Sequence, residues 1–311
     1  MRKPHFELAL PEGDWLELRD PDDELRQRIE ERFGIEVPNL SALGEIESSS
    51  RLRMKGKALI MTAPLLAGGA DEQAKLIPTG FLLLPRALIT VHYTDYPVFE
   101  NIAATIDRQE DRTPAAVLAR LLEAVVDHAS DQLETVSEQA ASVSHTIFYT
   151  DLQHRGLKIE TKQLGRSIIK LGRASERVSR VRYMFLSIGR LAKFVIDRSE
   201  DGLNEKTRAR LQAVAHDIVS LDEFEISLSS RIQFLLDAAT SLISIRQNDV
   251  VKVLTVASVV GIPPVLLVGI YGMNFRFMPE LSWPWGYPFA VSLCLISGLL
   301  PYLWFKWRKW I

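Results

Sequence analysis

Two stretches near the C-terminal end carry no charged residue: 23 residues from Val253 to Phe275 and 25 from Leu281 to Phe305. An α-helix needs ~20 apolar residues to cross ~30 Å of hydrocarbon, and inside lipid each backbone polar group must find its partner within the segment. The pair therefore predicts two membrane-spanning helices. Lys252 precedes the first stretch, Lys306, Arg308 and Lys309 follow the second, and the connecting loop holds only one base, Arg276. By the positive-inside rule both termini are cytoplasmic, in keeping with an N-terminus that lacks an apolar signal-peptide core. Trp283, Trp285 and Tyr287 at one end of the second stretch, and Trp304, Trp307 and Trp310 at the other, have the positions of interfacial belts. The competing reading is a helical hairpin that only anchors the chain to the bilayer.

Composition narrows the rest. Across 311 residues, 37 Lys+Arg stand against 39 Asp+Glu, so the broad basic field of a general nucleic-acid binder is missing and no nucleic-acid partner is expected. One cysteine, Cys294, cannot form an intrachain disulfide or a cysteine-based zinc site. The chain has no P-loop, no GxGxxG and no HExxH, and its six histidines lack metal-ligand spacing. Neither an enzyme nor an organic cofactor is expected.

Proline divides the soluble part. Nine of fifteen prolines fall between Pro4 and Pro114, and the next is Pro263. Before that gap, apolar runs such as Ala58–Met61, Phe81–Leu84 and Leu88–Tyr93 are short and bounded by Gly or Pro, as strands are. Residues 1–112 thus predict a mixed α/β domain, and Thr113-Pro114 opens long helices over 113–250. The fold class is α+β: a cytoplasmic α/β domain, a helical stalk, and two transmembrane helices at 251–275 and 282–305, with a loop at 276–281 outside the cell membrane and a basic cytoplasmic tail at 306–311. Asp201-Gly202 separates residues 160–198, with ten bases and three acids, from 199–237, with eight acids and four bases, so a helical hairpin would set opposite charges side by side. From Leu203 to Val260 run 58 residues without Gly or Pro, a helix ~87 Å long that would couple stalk and first span rigidly.

The first charge-free stretch ends in Tyr271-Gly272-Met273-Asn274-Phe275, followed by Met278-Pro279-Glu280-Leu281 and Trp285-Gly286-Tyr287-Pro288. In motif, position and topology this resembles the CorA-type magnesium and cobalt transporters. The resemblance implies a homo-oligomer, a pentamer, of the inner (plasma) membrane, with Mg²⁺ as transported ion and possible regulator and Co²⁺ or Ni²⁺ as further cargo. Mg²⁺ sheds water reluctantly, so an amide oxygen such as that of Asn274 can select the hydrated ion by accepting hydrogen bonds from its water. Gly272 allows the helix to end or backbones to approach, and Met273 packs. Two helices cannot enclose a pore, so an oligomer must.

Helical steps back from Asn274 reach Gly269, Val265, Ile262, Ser258, Leu254 (or Thr255), Val251 and Asn248. Such a small, apolar stripe suits helix packing; the resemblance implies that it lines the pore, with Leu254 and Val251 as a dewetting gate and Ile262 behind them. Pro263-Pro264 should loosen or kink this helix. Entry of a divalent ion through ~100 mV is favoured by about 4.6 kcal/mol, twice the ~2.3 kcal/mol per charge, and needs no nucleotide. Where the family commonly has two loop acids, only Glu280 is present and Arg276 takes the other place, so Arg276 either bridges a neighbouring Glu280 or slows conduction. Ala213 takes the best-matching sensor position, leaving Asp217 and Asp237 as candidate regulatory metal positions beside a plain solvated acidic face. A zinc transporter of the ZntB kind and a non-conducting interaction module are the alternatives.

Overall fold

The computed structural model describes residues 14–45, 51–68, 74–106, 111–148, 161–199, 203–273, 276, 278–308 and 310. The N-terminal domain is built on a five-stranded sheet in the order β1-β5-β4-β3-β2, with β1 Asp14–Arg19, β2 Leu52–Lys55, β3 Ala58–Ala67, β4 Lys75–Leu83 and β5 Ala87–His92. β1 runs parallel to β5 and the other pairs are antiparallel. All six residues of β5 are buried, as befits a strand covered on both faces. One face holds Leu16, Leu18, Leu82, Ile89 and Val91 against α1 (Asp23–Phe33) and α2 (Leu40–Leu43). Helix α1 starts where Asp22 accepts from the Leu25 amide at 2.8 Å, and stops at Gly34, whose φ of 64° few side chains adopt. On the other face Phe99 of α3 (Pro97–Ile106) meets Trp15, Phe81 and His92 edge-on.

Four longer helices follow: α4 Pro114–Phe148, α5 Thr161–Arg198, α6 Glu205–Tyr271 and α7 Gly286–Trp307. Pro114 is the first residue of α4, where its missing N–H costs nothing, and Asn204 caps α6 by accepting from the Thr207 amide at 2.7 Å. The helices divide between two compact units, 1–158 with 165–236 and 159–164 with 237–311. In the first unit, buried Arg177 of α5 donates to Gln132 of α4 and to the Gly68 carbonyl. Arg210 of α6 lies 3.4 Å from Glu123 of α4, and Arg182 of α5 lies 3.6 Å from Glu225 of α6. The expected apposition of a basic and an acidic helix is thus seen at Arg182, which also lies 3.9 Å from Asp222.

This architecture is the α+β class expected, with two candidate membrane spans. Local differences concern the spans. Helix α6 stops at Tyr271 rather than at 275, so Gly272-Met273 lies past its last turn. Gly272 N–H closes on the Val268 carbonyl at 2.9 Å and Met273 N–H on that of Ile270 at 3.2 Å, tightening the terminus. The second span begins at Gly286 rather than at 282, because Pro279–Ser282 forms a separate 3₁₀ turn. Pro263 and Pro264 lie inside α6, which continues past both. The ring of each removes one backbone donor, but membrane helices tolerate this where a neighbour approaches the freed carbonyl. Here a Cβ placed on Gly298 of α7 would lie 3.4 Å from the Val260 carbonyl and 3.3 Å from Pro264 Cγ, so the second helix sits directly over the proline step.

Candidate functional site

The C-terminal part of α6 presents two unlike faces. At ~100° per residue, Val256, Val260, Pro264, Leu267 and Tyr271 fall on one side of the helix, and all are half-buried. This is the side on which Gly298 of α7 packs. Val251, Ser258, Ile262, Val265 and Gly269 point the opposite way, with Leu254 and Asn248 to either side of them. Apart from half-buried Ser258 they are exposed: Val251 by 59%, Leu254 by 66%, Ile262 by 55% and Val265 by 72%. The sequence-derived stripe is therefore the face of α6 that α7 leaves uncovered. None of the most apolar stretch of α6 is buried, and in that of α7 only 6% is, which distinguishes both from core helices of a water-soluble domain.

Gly261, Ile262, Val265 and Gly269 line a shallow apolar trough on the uncovered face, and its far end is Met273. At Gly272 a Cβ would sit 3.2 Å from the Val268 carbonyl, so the residue that ends the helix is the one without a side chain. Met273 and Arg276 are exposed. Asn274 lies outside the described residues, as does the side chain of Glu280 within its 3₁₀ turn. The structure therefore brings together the stripe and the first two motif residues.

At the opposite end of the same stretch, Asn248, Val251 and Thr255 share a groove with Ile245, Asp249, Lys252 and Trp310. The sequence reading treats Trp310 as a belt residue and gives no sign that it reaches α6. A contact between residues 55 or more positions apart leaves no periodicity to read. Likewise Gly298 is an unremarked glycine in sequence and a close helix contact in the fold.

Asp217, on α6, is exposed and close enough to Glu123 and Asp127 of α4 to repel them. Burial pushes the Glu123 carboxyl up; Arg210 pulls it back, and Asp127 and Asp217 add to the rise. The Asp127 carboxyl is pushed up by burial and then by Asp131 and Asp217. Asp237 is exposed further along α6. Among the described residues no three His, Cys, Asp or Glu side chains converge as a metal-ligand set.

Comparison with known proteins bears on the whole chain. Residues 12–307 match the family model described as CorA-like Mg²⁺ transporter protein. The magnesium transport protein CorA of Sodalis glossinidius (strain morsitans) is 28% identical over 301 residues, spanning 96% of this chain and 92% of that protein. The protein of the same name from Escherichia coli (strain K12) is 28% identical over 299 residues, with the same coverage. The complete structure of the CorA magnesium transporter from Methanocaldococcus jannaschii covers 96% of this chain and 91% of that one with a TM-score of 0.71; at 17% identity, this likeness speaks to the fold.

Proposed function

The chain belongs to the CorA-like Mg²⁺ transporter family, and on that premise we propose that it is a channel-like transporter of hydrated Mg²⁺, with Co²⁺ and Ni²⁺ as further cargo. The family consists of ion transporters of the inner membrane, not enzymes. In this reading several copies, five by likeness to the family, surround an axis, and the α/β domain, the stalk and both termini are cytoplasmic. The spans are the part of α6 from 251 to Tyr271 and the helix α7, with the loop that follows the motif outside. Influx is driven by the membrane potential, which supplies about 4.6 kcal/mol to a divalent ion at ~100 mV.

The observation that carries the proposal is the uncovered apolar face of α6, opposite the side packed by α7. An apolar face needs lipid or a copy of itself, and a copy also supplies the ring that two helices cannot make. Asn274, with Gly272 and Met273, is the selecting position: five amide oxygens accept hydrogen bonds from the ion's water without a carboxylate's grip. Val251 and Leu254 form the dewetting gate, with Ile262 behind it, and Asn248, Ser258, Val265 and Gly269 complete the lining. Asp217 and Asp237 are regulatory positions; the repulsion that Glu123 and Asp127 feel from Asp217 supports a cation site there, with further ligands supplied by a neighbouring copy.

Flux into liposomes, measured with Mg²⁺, Co²⁺, Ni²⁺ and Zn²⁺ in parallel, tests the reading. The native protein carries Mg²⁺, and Asn274→Ala lowers that flux at least tenfold while the oligomer stays intact. Transport of zinc alone overturns the choice of ion. Monomers without any flux overturn transport itself and leave the anchor.

A further inference from the structure

The contact between α5 and α6 buries a carboxyl. Glu225 of α6 is 2% exposed, and its Oε2 has no hydrogen-bond partner among the described residues. The Arg182 guanidinium of α5 lies 3.6 Å from that oxygen, too far for a hydrogen bond, and 3.9 Å from Asp222 one turn earlier on α6. Arg182 is itself half exposed, so it is divided between two acids and water. Otherwise this part of the hairpin is apolar: Val178, Val181 and Phe185 of α5 and Leu228 and Ile232 of α6 are buried. Arg180 of α5 is occupied by Glu176. On α4, the pairing of Glu123 with Arg210 and of Phe148 with Phe234 sets Glu134 and Glu138 level with Asp222 and Glu225, and both are exposed. Burial pushes the Glu225 carboxyl up; Arg182 pulls it back, and Asp222 adds to the rise.

We propose that Glu225 is a proton-operated latch: with its proton it lets α5 and α6 close on one another, and without it the carboxylate draws in Arg182 or water and loosens the pair. A neutral acid suits an apolar helix contact, whereas a carboxylate there costs free energy that a guanidinium beyond hydrogen-bond reach does not offset. Because α6 runs on to Tyr271 as a single helix, the state of the latch is passed to the stretch that bears Val251 and Leu254. Acid on the cytoplasmic side therefore stiffens this helix and lowers flux. The effect on flux rests on the transport reading; the effect on stability does not.

An acid whose folded value lies above its ordinary 4.5 contributes its full stability below that ordinary value and loses it as pH rises through the folded one. The test follows the full-length protein from about pH 8 to about pH 5, by thermal unfolding in detergent and by Mg²⁺ flux in liposomes. Glu225→Gln and Glu225→Leu, which cannot ionise, unfold at a higher temperature than the native protein at the alkaline end, and the gap narrows towards the acid end. Native flux falls with pH, whereas both variants hold the lower flux throughout. Arg182→Gln, which removes the countercharge, moves the native transition to higher pH, a shift that lost packing alone does not produce. A gap independent of pH overturns the proposal, and so does a flux step that survives in both Glu225 variants. Absence of flux from every form, with the unfolding profile as stated, overturns transport and leaves the latch.

Discussion

Glu17 shows how a single carboxyl can be balanced by its surroundings. Burial alone would push it up; the His92 Nε2 at 2.8 Å and Arg19 at 3.5 Å pull it down and together outweigh burial, so the group ends below its ordinary value of 4.5. His92, fully buried, has its Nδ1 at 2.7 Å from the Thr94 carbonyl. An acid with a lowered pKa contributes stability above its unfolded value and loses it as pH falls through the folded one. Glu17→Gln should therefore lower the unfolding temperature at pH 7, and the gap to the native protein should narrow as the pH falls below the ordinary carboxyl range and through the lowered folded-state value. Circular-dichroism melts from pH 7 to 3 measure this, and a gap constant with pH contradicts it. Nothing in the sequence pointed to the pair, because Glu17 and His92 are 75 residues apart and meet only through the parallel β1–β5 ladder. The stripe residues were legible, since helical spacing alone gathers Val251, Ser258, Ile262, Val265 and Gly269 on one face.

At the scale of elements, what could be read were features expressed locally: charge-free length for the two spans, Thr113-Pro114 for the start of α4, and Gly- or Pro-bounded runs for β3, β4 and β5. The end of α6 and its passage through Pro263-Pro264 could not be read, because both depend on what surrounds the backbone. The proline step survives beneath Gly298, whose missing side chain lets α7 approach. Gly298→Leu forces the helices apart and should destabilise the hairpin by about 1–3 kcal/mol, with Gly298→Ala costing less. Thermal unfolding in detergent should rank native above Ala above Leu, and an unchanged Leu variant would show that the contact is loose. The trough of Gly261, Val265 and Gly269 is small-sided in the same manner and lies open on the face that α7 leaves uncovered.

For the whole molecule, the near-balance of 37 bases and 39 acids conceals a division of labour: charged residues crowd the long soluble helices, and the spans have almost none. An isolated chain would leave a row of exposed valines, leucines and isoleucines on α6 that only lipid or further copies can cover. The account assigns that row to a shared ion pathway. Because the sequence has one cysteine, Cys294→Ser provides a background for single cysteines placed along α6. Divalent-cation flux in liposomes is then measured before and after a small, charged thiol reagent. The account predicts block at Val251, Leu254, Ser258 and Ile262 and none at Val256, Val260 and Leu267; block confined to the second group, or spread equally over both, would contradict it.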